Sequence, residues 1–269
     1  ENCNLMPTAV QNILRKATRD DDAPLNILTF PTHERYETGL AKTGHNFYGW
    51  QGPNIKKWNT TYAPIPKNYN ILDGRLLDAQ FPLWLDVDLV LSQNKFGQYN
   101  IANKVARQLQ CPLVTLEHTL PTPDLTRTGQ WYLSQMKGEL DVFISEYSIE
   151  KWGWSKTDNI DIVHHGVDTD LFHPPADDEA REDLVCSVVN DWMNRDWCCG
   201  FKIWQEATGW PNSKLPLNVH GDTQGLSKGI GPEQLANEYR RSKIFLNTSL
   251  VSPVPTVLLE AMASGCAVV

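Results

Sequence analysis

Pro253-Val-Pro-Thr-Val-Leu-Leu-Glu260-Ala-Met-Ala-Ser-Gly265-Cys-Ala-Val-Val269 reads as a loop, a short helix and the opening of a buried strand. Pro255 suits a first helical position, Thr256 to Ser264 hold good helix formers, Gly265 suits the left-handed residue after a helix, and Cys266 to Val269 are apolar. A helix that starts after a tight loop presents unpaired N–H groups and a positive dipole end, which together suit a phosphate. Glu260 falls one turn in, on the face of Thr256, where a carboxylate can accept hydroxyl hydrogen bonds, as from a ribose. The same residues also suit an ordinary helix between two strands of an α/β domain.

Upstream, the chain alternates buried-strand runs with helical patterns. Leu25 to Phe30, Phe47 to Trp50, Asp88 to Ser92, Pro112 to Leu116, Asp141 to Ser145 and Ile160 to His164 read as strands. Arg35 to Lys42, Tyr99 to Leu109, Gly129 to Met136 and Tyr147 to Trp154 read as helices between them. Gln51 to Tyr69 reads as a long loop. A second series has strands at Leu184 to Val189, Leu217 to His220 and Ile244 to Asn247, with helices at Phe201 to Thr208 and Pro232 to Arg241. Such alternation implies parallel sheets covered on both faces. The expected architecture is therefore α/β, with two Rossmann-type domains whose sheets face a cleft. The expected boundaries are a polar lead-in over 1–22, with a helical pattern at Val10, Ile13, Leu14 and Ala17, then domains over 23–174 and 175–269. The linker is placed at Pro174-Pro175-Ala-Asp-Asp-Glu-Ala-Arg, and the second domain is expected to be incomplete because the chain ends inside a strand.

The bulk numbers narrow the function. The 269 residues carry a net charge of −8, which argues against nucleic acid as a partner and against a strongly basic membrane-docking face. No apolar run is long enough to span a bilayer and no signal pattern opens the chain, so a cytoplasmic protein without an integral membrane segment is expected. The six cysteines, Cys3, Cys111, Cys186, Cys198, Cys199 and Cys266, lack metal spacing and read as reduced and buried.

Leu259-Glu260-Ala261-Met262-Ala263-Ser264-Gly265 resembles the C-terminal nucleotide-sugar site of retaining glycosyltransferases of the two-Rossmann GT-B architecture, the family 4 or group 1 enzymes. In that family a first glutamate stands eight residues before the second; here that position is Ser252. The junction segment His164-His165-Gly166-Val167-Asp168-Thr169-Asp170-Leu171-Phe172-His173-Pro174 is similar to the family's Asn-Gly-Val-Asp stretch followed by Phe and Pro, with His165 in place of Asn. The resemblance implies a nucleotide-diphosphate sugar donor, a glycan or small-molecule acceptor, and no metal or other cofactor. It further implies that Glu260 holds the ribose, that Ser252 stands near the sugar, and that the amides of Thr256 and Val257 hold the diphosphate. Arg195 and Lys202 stand nearest to the family's diphosphate-binding Arg and Lys, although their spacing departs from the pattern.

His118, directly after the strand Pro112 to Leu116, is the catalytic candidate in the first half, since a parallel sheet presents functional side chains at its carboxyl end. A histidine commonly follows this strand in the family and reaches the donor's sugar or diphosphate. His33, Glu34 and Arg35 replace the usual glycine-rich loop and either contact a ligand or cap the following helix. His164, His165 and His173 lack a metal-binding spacing, and the two Asp-x-Asp stretches at Asp86 and Asp168 read as coincidences. The expected activity is sugar transfer. The alternatives are a nucleotide-sugar epimerase on the same fold and a non-catalytic nucleotide-sugar binder. No G-x-G-x-x-G follows a strand, which disfavours a dinucleotide oxidoreductase.

Overall fold

The computed structural model describes residues 17–52, 57–73, 86–154, 159–176 and 180–269. Val10, Ile13 and Leu14 of the N-terminal helical pattern, Cys3, and the acidic middle of the linker segment lie outside them. The first sheet has seven strands in the order β3-β2-β1-β4-β5-β6-β7. They are β1 Asn26–Thr29, β2 Asn46–Gln51, β3 Tyr69–Asp73, β4 Leu89–Ser92, β5 Leu113–Glu117, β6 Leu140–Phe143 and β7 Ile160–Ile162. The second sheet, in the order β11-β10-β8-β9, comprises β8 Glu182–Val188, β9 Leu217–His220, β10 Ser242–Phe245 and β11 Ala267–Val268. All pairings in both sheets are parallel.

Helices α1 Glu34–Ala41, α2 Tyr99–Leu109, α3 Arg127–Ser134 and α4 Glu146–Trp152 connect strands of the first sheet. Helices α5 Asp196–Cys199, α6 Phe201–Thr208, α7 Pro232–Arg241 and α8 Thr256–Ala263 do so in the second. Local chemistry sets their limits. In α2, Tyr99, Ala102 and Ala106 recur at helical spacing and are buried against Leu28, Val90 and Phe143. Ser145 caps α4 by accepting from the Ser148 N–H, and Gly153 closes it at φ +70°.

Three features depart from the sequence reading. β3, which extends the sheet beyond β2 in parallel register from Phe47↔Tyr69 to Gln51↔Asp73, begins where the expected loop ends and was not anticipated. Its sequence Tyr-Asn-Ile-Leu-Asp is neither continuously apolar nor cleanly alternating, so period gave no signal. The short α5 was not anticipated either. It turns into α6 at Gly200, whose φ of +63° and close approach to the Thr248 carbonyl leave no room for a side chain. Pro255 is the N-cap of α8 rather than its first helical residue, with φ −67° and ψ 126°.

The second sheet has an aromatic core. Trp192 and Trp204 are fully buried beside Phe201, and their indole N–H groups donate to the Cys199 carbonyl and to Ser187 Oγ. Arg181 fixes the direction of α7 and α8 from the far end. Its guanidinium donates to the carbonyls of Tyr239, Ser242 and Ser264, where a cation complements the negative ends of both helices.

Candidate functional site

The carboxyl ends of β1, β4 and β5 face those of β8 and β10 across a cavity of about 480 Å3. His118 enters from the loop after β5, Arg195 from the loop after β8, and Ser252, Thr256 and Val257 from the segment that opens α8. Pro255 caps α8 and no side chain caps its first turn, so this helix end meets the cavity with its backbone. Arg195 is exposed and its guanidinium donates to the Asn190 carbonyl at 3.4 Å. A cation beside a helix N-terminus is an electrostatic pair suited to a diphosphate.

Lys202 does not join this group. It lies on α6, its side chain is 85% exposed, and it pairs with Asp196 at 3.4 Å instead of lining the cavity. The Gly200 turn accounts for this: α6 leaves the cleft there, so a lysine two residues on faces solvent.

Glu260 opens onto a neighbouring cavity of about 670 Å3, lined also by Lys42, His164, His165 and Glu233. Arg35, Tyr36 and Thr256 border both cavities and form the wall between them. Glu260 is on the Thr256 face of α8, but its carboxylate is engaged. Arg35 Nη1 lies 2.8 Å from Glu260 Oε2, and the Tyr239 hydroxyl donates to the same oxygen at 3.2 Å. Burial raises the Glu260 pKa, while the Arg35 charge and these hydrogen bonds oppose the shift. Arg35 is the side chain whose partner the sequence did not reveal, because the pair joins positions 225 residues apart.

Two further contacts cross between the sheets' loops. The Tyr62 hydroxyl donates to Asp222 at 3.0 Å, and burial followed by that carboxylate pushes the phenol up to about 12. Asp222 also accepts from the Asp191 N–H, which holds the loop carrying Arg195. Gly221 makes this approach possible, since at φ +120° its Cα packs against the Val189 carbonyl. Lys42 reaches Asp168 of the junction segment at 2.5 Å.

The other histidines separate in function. His33 caps α1 by accepting from the Arg35 N–H at 3.3 Å. His118 packs edge-on against Tyr36, with ring centroids 4.4 Å apart, and stacks on His165 at 5.3 Å. Burial, then the neighbouring His165, lowers the His118 pKa to about 3, so the ring is neutral. His164 contacts the Ile144 carbonyl and His173 the Pro174 carbonyl, so the junction histidines point to different partners. Asp88 binds Arg19 and the Asn26 N–H, away from the cleft. The described cysteines are buried; among them Cys198 and Cys199 border the first cavity.

The chain's architecture is shared with solved structures. The sucrose-phosphate synthase of Thermosynechococcus elongatus superposes with a TM-score of 0.61 at 14% identity, over 91% of this chain and 80% of that one. The fold is that of the GT-B glycosyltransferases. The lipopolysaccharide outer core galactosyltransferase WaaB, in apo form, gives 0.53 at 14% identity, covering 91% of this chain and 80% of its own. The E. coli trehalose-6-phosphate protein bound with UDP-2-fluoro glucose gives 0.55 at 12% identity, covering 90% and 81%. No protein-family model and no curated protein matches the chain. Among the described residues no helix is long and apolar enough to cross a membrane.

Proposed function

We propose that the protein is a retaining, metal-independent glycosyltransferase of the family 4 type that transfers a sugar from a nucleotide-diphosphate sugar to a glycan or small-molecule acceptor. In this reading residues 23–174 form the acceptor-side domain and 175–269 the donor domain. The observation that carries it is the convergence of His118, Arg195, Ser252 and the uncapped first turn of α8 on one cavity between two parallel sheets. Arg195 and the amides of Thr256 and Val257 stabilise the diphosphate as it leaves, where fixed dipoles and charge act without reorganisation. Ser252 and His118 contact the sugar, and Glu260 takes the ribose hydroxyls. Arg35 and Tyr239 both occupy Glu260 Oε2, so Oε1 is the oxygen that takes the ribose hydroxyls. A similarly folded protein bound with UDP-2-fluoro glucose supports a nucleotide-sugar donor.

A thermal-shift series with nucleoside diphosphates and their sugars tests the reading. One nucleotide, at a hundred times its Kd, is expected to add about 2.7 kcal/mol, raising Tm by roughly 5–10 °C. Arg195→Ala is expected to weaken that nucleotide by about tenfold or more, the worth of one charge-assisted contact. Absence of a response to every nucleotide sinks the proposal, and binding without hydrolysis or transfer reassigns the protein as a nucleotide-sugar binder.

A further inference from the structure

Gln93 follows β4 directly and is completely buried. Its amide nitrogen lies 2.8 Å from Thr29 Oγ1 and 3.0 and 3.2 Å from the two carboxylate oxygens of Glu37. Its amide oxygen lies 3.2 Å from Nε2 of His118. Glu37 is itself fully buried and accepts from the Thr32 N–H at 3.0 Å and the Tyr69 hydroxyl at 2.9 Å.

These contacts determine a proton position. Above about pH 7, where Glu37 is ionised, a carboxylate surrounded by donors cannot face the oxygen of an amide, so Glu37 forces the NH2 group of Gln93 toward itself. The amide oxygen is then fixed on the opposite side, against the imidazole. Two lone pairs at 3.2 Å repel, so His118 carries its proton on Nε2 and donates it to Gln93. The second ring nitrogen, Nδ1, is left as an acceptor. Tyr36 and His165 pack on the ring and hold its plane.

We propose that Glu37 and Gln93 are positioning residues which lock His118 in the Nε2–H tautomer, keeping Nδ1 as the acceptor for a hydroxyl of the bound sugar or acceptor. The role in sugar transfer rests on the function proposed above; the tautomer itself does not. The burial of Glu37 makes the device directional, because no solvent competes for its oxygens and the Gln93 amide has one favourable orientation.

The test is ring 15N chemical shifts of His118 in histidine-labelled protein, with the signal assigned by its loss in His118→Gln. At pH 8, where Glu37 is ionised, the parent is expected to show a protonated Nε2 and an unprotonated Nδ1. Gln93→Met removes the acceptor and should move both shifts toward a mixture of tautomers. Glu37→Gln retains an oxygen for the Thr32 N–H and the Gln93 amide, and should restore the parental pattern. With donor and acceptor supplied, Gln93→Met should lower kcat/KM about tenfold, one neutral hydrogen bond's worth, and Glu37→Gln far less. An Nδ1–H or mixed tautomer in the parent overturns the inference without any substitution, as do parental shifts in folded Gln93→Met. An inactive parent with the expected tautomer contradicts only the transferase reading.

Discussion

Glu260→Ala is expected to lower the unfolding free energy by about 3–5 kcal/mol, the usual effect of removing one partner from a buried ion pair. The Arg35 side chain is 17% exposed and that of Glu260 4%, with 2.8 Å between their charged atoms. Alanine at 260 leaves the guanidinium enclosed without an anion and takes the acceptor from the Tyr239 hydroxyl, which is also buried. At roughly 2–4 °C per kcal/mol for a chain near this size, Tm should fall by about 10 °C. The double variant Arg35→Met with Glu260→Leu should return to within about 1 kcal/mol of the parent, because apolar side chains of similar volume replace such a pair at little cost. That recovery separates loss of an ion pair from loss of packing, and a Glu260→Ala change below about 1 kcal/mol would falsify the assigned burial of charge. Neither Glu260 variant should respond to the nucleotide that stabilises the parent, since both lack the carboxylate proposed to hold the ribose. Arg35→Met alone keeps the carboxylate and should still respond.

The terminal segment was the most readable part of the chain. Helix formers between Pro255 and Gly265 located α8 to within a residue, and strand-length apolar runs located most of both sheets. Such signals are local: a buried parallel strand must be apolar on both faces, and a helix end needs its cap within a turn. β3 escaped because Asn70 and Asp73 break its apolar run. His118 is legible from its place after a strand, Thr256 and Val257 from the helix start, and Arg195 and Ser252 by resemblance; all five line one cavity. Lys202 was misplaced because a departure in spacing near Gly200 shifts the helix that carries it. Arg35 with Glu260, and Glu37 with Gln93 and His118, were illegible as pairs. Their partners come from different helices and loops, and a single sequence records the residues without the distances.

Glu37→Gln and His118→Gln are expected to tilt the pH dependence of stability in opposite directions. Burial pushes the Glu37 carboxyl up to about 7, against hydrogen bonds from Thr32, Tyr69 and Gln93, from an ordinary value of 4.5. The folded state therefore binds more protons than the unfolded chain between those values. Its contribution, roughly 3 kcal/mol, is full below about pH 4.5 and is lost as pH rises through 7. His118 behaves in reverse. Its pKa falls from 6.5 to about 3, so the unfolded chain binds more protons in that interval. Roughly 5 kcal/mol is present above pH 6.5 and lost as pH falls toward 3. Between about pH 4.5 and 6.5 the two slopes, each near 1.4 kcal/mol per pH unit, cancel in the parent. Glu37→Gln leaves the histidine unopposed, so stability should fall relative to the parent as the solution is acidified across that window. His118→Gln leaves the carboxyl unopposed, so stability should rise over the same interval. Urea unfolding of the three proteins at several pH values reads both differences directly. Tyr36, Tyr69 and His165, which face the same cluster, are common to all three and drop out of the comparison. Slopes of the same sign in the two variants would show that one of these groups titrates near its ordinary value in the folded protein. The buried Glu37–Gln93–His118 connection would then lack the solvent exclusion on which its directionality depends.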